Sequence, residues 1–145
     1  MTQNKLAKYI TASIILAGFL LVRFYEKKIL DDGLFDFFEN DYLTENLPPV
    51  SLSKLLLADS LHYGLNVLLS ILFLKLIFKQ KQLIGFLSLL FLLFYVLLII
   101  FLFLAVIFYK PGHYLFLFYI RRLLIQPIFL FLLIPALFVQ QKSKP

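Results

Sequence analysis

Four long apolar runs set the pattern of this chain, each closed by lysines, arginines or a polar cluster. A helix needs roughly 20 apolar residues to cross a bilayer. By that measure the runs predict four transmembrane helices, at about residues 6–26, 54–78, 83–109 and 113–139. Between the first two lies the only long polar stretch, 27–53. It carries Asp31, Asp32, Asp36, Glu39, Asp41 and Glu45, with Ile29, Leu30, Leu34, Phe35, Phe37, Phe38, Tyr42 and Leu43 interleaved. That mixture predicts a short amphipathic helix lying on the membrane, ended by Pro48 and Pro49.

Polar residues inside the runs are placed periodically. In the second run Asp59, Tyr63, Asn66 and Ser70 follow steps of four, three and four, which makes one stripe on a helix, with His62 on its flank. An unsatisfied polar group in lipid costs several kcal/mol, so this stripe is expected to face protein. Thr11, Gly18 and Tyr25 in the first run share a seven-residue spacing. So do Lys81, Ser88, Tyr95 and Tyr109 in the third, with Gly85 nearby. Both sets mark faces for helix packing, where small residues permit close approach.

Composition agrees with a membrane bundle. The chain is 62% hydrophobic with a mean hydropathy of +0.94, against about 45–50% apolar residues in soluble domains. Its 145 residues suffice for one domain, 1–145. The net charge of +6 builds no basic face, because the cations sit at the ends of apolar runs, so nucleic acid is not an expected partner. Lys5 and Lys8 precede the first run as in a signal peptide. Arg23, Phe24 and Tyr25 then stand where a small-residue cleavage site belongs, so the run reads as an uncleaved helix. Lys5, Lys8, Lys79, Lys81, Lys142 and Lys144 fall on one side of a four-helix arrangement. The positive-inside rule then puts both termini in the cytoplasm and the acidic stretch outside. The absence of cysteine removes disulfides, thiolate metal sites and a cysteine nucleophile. Neither cofactor nor metal is expected, and Asp31–Asp32 reads as a solvated pair rather than an acid–base or cation site.

The fourth run holds the most unusual chemistry. Arg121 and Arg122 stand side by side in it, followed by Gln126, Pro127 and Pro135. A central arginine costs about 3 kcal/mol on insertion, which the apolar neighbours offset narrowly. Intramembrane arginines mark a functional site unless they snorkel to the interface. Adjacent helical residues point about 100° apart, so only one of the two faces the bundle. Arg122 shares its face with Tyr119 and Gln126, whereas Arg121 shares its own with Leu117, Ile125 and Ile128. On that pattern Arg122 is expected inward, with Asn66, Asp59 or Glu26 as its partner.

Two resemblances add to this reading. His62-Tyr63-Gly64-Leu65-Asn66 has the H-x-x-x-N form and resembles the second helix of rhomboid intramembrane proteases, where a histidine and an asparagine help form the oxyanion site. The G-x-S-G nucleophile motif of that family is missing here, and His113 stands outside the matching position of its base. A broader resemblance rests on Val22-Arg23-Phe24-Tyr25-Glu26, on Tyr63-Gly64-Leu65-Asn66 with Ser70, and on Phe118-Tyr119-Ile120-Arg121-Arg122-Leu123-Leu124-Ile125-Gln126-Pro127 followed by Pro135-Ala136. With these motifs the chain resembles exosortase F system-associated proteins over nearly its whole length. That resemblance implies a small multi-pass protein of the bacterial inner membrane, encoded beside an exosortase, a membrane transpeptidase that processes exported proteins.

The expectation is an all-α membrane protein with no enzymatic activity, serving as accessory to an exosortase-type sorting system, with membrane lipid and an exosortase as partners. Arg23, Asp59, His62, Asn66, Arg121, Arg122 and Gln126 form the candidate interaction site. The alternatives are an intramembrane enzyme with a degenerate rhomboid-like site, and a membrane protein that binds lipid or an anionic ligand through the arginine pair.

Overall fold

The polar stripe of the second run puts that run at the centre of the bundle. In the computed structural model, which describes residues 2–29, 34–40, 46–78, 81–108, 110 and 114–142, the helices are α1 (Thr2–Ile29), α2 (Phe35–Glu39), α3 (Leu52–Ile77), α4 (Lys81–Ile107), α5 (Leu115–Ile125) and α6 (Ile128–Lys142). No strand occurs among the described residues. Helix α3 touches α1, α4 and α5. Its buried residues are Leu55, Ala58, Asp59, His62, Tyr63, Asn66, Ser70 and Leu74. They recur at three- and four-residue steps, so the stripe faces protein as its spacing predicts.

Three helices, α1, α3 and α4, are long and apolar enough to cross a membrane. Their outer faces carry Phe24 of α1 at 79% exposure, Leu57 of α3 at 61% and Phe86 of α4 at 62%. Apolar exposure on this scale belongs in lipid, since soluble monomers keep such patches small. The chain is an all-α membrane bundle.

The expected fourth helix, 113–139, is broken. Helices α5 and α6 meet at an angle of 61° across Gln126 and Pro127, and together they make a fourth, bent span or a re-entrant pair. Proline lacks the N–H for the helical ladder and forces its predecessor out of helical geometry. Gln126 accordingly has φ −101° and ψ 141°. Ladder bonding restarts beyond the break, where Leu130 N–H donates to Pro127 O at 3.1 Å.

Packing divides the interior in two along α3. One half joins Tyr63 with Leu98, Leu102 and Ala105 of α4 and Leu117, Ile120 and Leu124 of α5. The other joins Leu74 and Phe78 with Leu87 and Phe91 of α4 and Leu130 and Leu137 of α6. Tyr63 Oη donates to Phe91 O at 2.7 Å, and Ser60 Oγ and Tyr95 Oη lie 2.7 Å apart, so hydroxyls tie α3 to α4. The seven-residue spacing in the third run thus finds its neighbour through Tyr95. Ser88 is half-buried, Gly85 is exposed, and Tyr109 and the Lys81 side chain lie outside the described residues.

On α1 the inward face is Ile15, Gly18, Phe19, Val22 and Glu26, with Ile15 and Glu26 buried. Gly18 meets α3 at Leu69. Thr11 and Tyr25, expected on the same face as Gly18, are exposed. The inward line instead follows Ile15, Gly18/Phe19, Val22 and Glu26 at three- and four-residue steps, and Tyr25 lies off it.

The polar stretch 27–53 contains α2, which docks on the bundle as an amphipathic element. Leu34 and Phe37 bury against Leu55 and Tyr114. The Phe37 and Tyr114 rings pack edge-on at 5.3 Å, and Leu47 N–H donates to Tyr114 Oη at 3.1 Å. Lys27 holds the polar side, 2.6 Å from Asp36 and 3.0 Å from Glu39. Asp31, Asp32, Asp41 and Glu45 lie outside the described residues.

Candidate functional site

The candidate site forms where the end of α1, the third turn of α3 and the middle of α5 converge beneath α2. Its centre is the pair Arg121–Asp59. Nε of Arg121 lies 3.6 Å from Oδ1 of Asp59, with the two side chains 5% and 0% exposed. A buried ion is costly unless an opposite charge and hydrogen bonds compensate it, so the two groups hold each other across α3 and α5. Above it the Arg121 guanidinium packs on the rings of Phe35 and Phe38, at 5.1 and 5.6 Å from their centroids. Cation–π contact of this kind strengthens when water is excluded.

This geometry reverses the expectation for the arginine pair. Arg121 faces the bundle and Arg122 is exposed. The inward face of α5 is Leu117, Ile120, Arg121, Leu124 and Ile125, an apolar helical stripe that happens to include one arginine. Tyr119, expected to mark the inner face, is 57% exposed. Apolar packing, not the clustering of polar side chains, orients α5. Arg122 instead donates from Nε to Gln126 Oε1 at 3.2 Å and lies over the Phe118 ring at 5.9 Å. None of the three partners proposed for Arg122 holds it. Asp59 meets Arg121, Asn66 meets a backbone oxygen, and Glu26 meets Arg23.

His62 is 2% exposed and joins the centre from α3. Its Nδ1 lies 3.0 Å from Ala58 O. A carbonyl only accepts, so this contact places a proton on Nδ1. Among the described residues no hydrogen-bond donor reaches Nε2, and no serine is hydrogen-bonded to His62. Arg23 closes the α1 side, 2.6 Å from Glu26 Oε2, with Glu26 4% exposed.

Asn66 lies about one turn beyond His62 and two beyond Asp59 along α3, and takes no part in the charged centre. Its Nδ2 donates to Ile125 O, at the end of α5 where Pro127 has interrupted the ladder. Ser70 in turn donates to Asn66 O at 2.6 Å. The structure therefore brings Arg23, Asp59, His62 and Arg121 together. It puts Arg122 and Gln126 at the rim and Asn66 at the helix break.

Beside the centre opens a cleft of about 290 Å³, lined by Arg23, Glu26, Glu39, Arg121 and Arg122 with aromatic walls from Phe35, Phe38 and Phe118. Phe35, Phe38 and Glu39 are site residues that sequence reasoning missed. The cue was the Phe35-Asp36-Phe37-Phe38-Glu39 pattern, aromatic on one side and acidic on the other. Glu26 was missed as a buried residue, although it falls at three- and four-residue steps from Ile15, Gly18/Phe19 and Val22. Comparison with protein-family models, with curated proteins and with solved structures finds no match to this chain.

Proposed function

We propose that the chain is a non-enzymatic accessory of an exosortase-type protein-sorting system, held in a bacterial inner membrane with both termini cytoplasmic. The observation that carries this reading is where the resembling motifs fall. Arg121 of the fourth-run motif and Arg23 and Glu26 of the first-run motif line one cleft, and Asn66 of the α3 motif braces the end of α5 beside it. These motifs thus coincide with the polar architecture of the bundle. Orientation is supported by charge. In the sequence Lys5, Lys8, Lys75, Lys79, Lys81, Lys142 and Lys144 fall toward one end of the expected spans, against Arg23, Lys27, Lys28, Lys54 and Lys110 toward the acidic end. The acidic end then faces outward and presents the cleft to exported proteins.

The test is co-purification. The tagged chain, expressed with the exosortase encoded beside it and extracted in mild detergent, is expected to retain the transpeptidase, while an unrelated four-span protein does not. Elution of the chain alone would contradict the accessory reading. A fluorophosphonate probe addresses the enzymatic alternative, since labelling that is lost in one serine variant would favour it.

A further inference from the structure

The charged groups around the cleft do not cancel residue by residue. Arg23 is matched by Glu26 at 2.6 Å and Arg121 by Asp59 at 3.6 Å. Lys27 serves two carboxylates, Asp36 at 2.6 Å and Glu39 at 3.0 Å. Arg122 has only the Gln126 amide and the Phe118 ring, with no carboxylate in ion-pair range among the described residues. The described groups thus leave one surplus cation at Arg122 and a shared negative charge at Glu39, and both residues line the same cleft. A guanidinium binds phosphate oxygens through paired N–H groups, and a carboxylate accepts N–H bonds from a primary ammonium.

Depth points the same way. Arg23 lies five residues before Lys28, where the α1 span ends, which is about 7 Å along a helix. Arg122 lies seven residues into α5, about 10 Å from its start. The polar layer of a bilayer is roughly 5–7 Å thick on each side. With long side chains reaching outward, the cleft sits where lipid headgroups join their acyl chains. Its aromatic walls suit the start of an acyl chain, and its volume is slightly below the roughly 300–1,000 Å³ of pockets for whole small ligands. A headgroup fits while the chains run along the apolar outer faces of α1 and α5, which carry Phe24 and Phe116.

We propose that this cleft binds a zwitterionic aminophospholipid, with its phosphate on Arg122 and its primary ammonium on Glu39. The proposal stands independently of any role in protein sorting. The quaternary ammonium of phosphatidylcholine has no N–H for Glu39, and phosphatidylglycerol has no cation at all. A simple anion site would prefer phosphatidylglycerol instead.

The test is lipid titration of the full chain, delipidated in detergent, followed by native mass spectrometry. Phosphatidylethanolamine is expected to bind about tenfold more tightly than phosphatidylglycerol or phosphatidylcholine, the margin of one charge-assisted hydrogen bond. Arg122→Gln is expected to weaken binding of all three lipids about tenfold, because each carries the phosphate, Arg122→Lys to retain most of the binding, and Glu39→Gln to abolish the preference for phosphatidylethanolamine over both other lipids. Circular dichroism verifies that each variant keeps its helices. Equal binding of the three lipids, a preference for phosphatidylglycerol, or wild-type behaviour of Arg122→Gln would each overturn the proposal. So would soluble phosphoethanolamine binding as tightly as the lipid, because the ligand would then be a free zwitterion.

Discussion

Arg121 and Asp59 meet across α3 and α5 at 3.6 Å, deep enough that neither side chain is more than 5% exposed. The next residue, Arg122, points out of the bundle. One step along α5 therefore separates a residue buried in an ion pair from one that meets the surroundings. The same charge has two roles, and the apolar stripe Leu117, Ile120, Leu124 and Ile125 decides which arginine takes which.

The bent pair α5–α6 yields a topology prediction. If it forms one span, Glu39 and Lys142 lie on opposite sides of the membrane. The chain has no cysteine, so Glu39→Cys and Lys142→Cys can each be probed alone. An impermeant maleimide applied to whole cells or spheroplasts is expected to label Glu39→Cys and to spare Lys142→Cys until the membrane is opened. Labelling of both from one side would mean that the pair re-enters without crossing.

Gly18 sets the approach of α1 to α3. A Cβ there would stand 3.1 Å from Leu69 Cδ2, the far end of a flexible side chain. Gly18→Ala is expected to be absorbed by a small shift of Leu69 and to change stability little. Gly18→Leu overfills the contact and is expected to cost about 1–3 kcal/mol. Because α1 packs mainly on α3, limited proteolysis should then release α1 first. Equal stability of the two variants would show that Gly18 is not at a close contact.

Asn66 ties α3 to the end of α5 at the proline break. Asn66→Leu is expected to destabilise the bundle by about 1–2 kcal/mol, the range for polar contacts between membrane helices. Hydrogen exchange is expected to accelerate at residues 125–130 more than in α4. A variant as stable as the wild type in detergent unfolding would mean that Ile125 O finds equivalent bonding elsewhere.

Much of this architecture was readable in the sequence, and the failures have physical causes. The α3 stripe was legible because burial in a membrane protein demands that polar groups face protein, so spacing alone located Asp59, Tyr63, Asn66 and Ser70. The α5 face was misread because Tyr119, Arg122 and Gln126 form a polar stripe of the same kind. Near the membrane surface, however, tyrosine and arginine are tolerated outward, and the apolar stripe governs instead. The break at Pro127 was signalled by the proline, but its angle depends on how α6 packs against Leu74 and Leu87, a long-range matter. Phe35 and Phe38 went unrecognised as site residues because only the folded chain brings α2 over Arg121.

The most direct measurement is a double-mutant cycle on Arg121 and Asp59, read as detergent unfolding with Arg122→Leu alongside. Breaking a buried ion pair leaves an uncompensated charge, so Arg121→Leu and Asp59→Leu are each expected to cost about 3–5 kcal/mol. The double variant Arg121→Leu/Asp59→Leu should cost less than the sum, with a coupling of roughly 0.5–3 kcal/mol. Arg122→Leu should stay within about 0.5 kcal/mol of the wild type, as an exposed position does. Additive losses at Arg121 and Asp59, or a larger loss at Arg122 than at Arg121, would contradict the buried pair as the centre of the site.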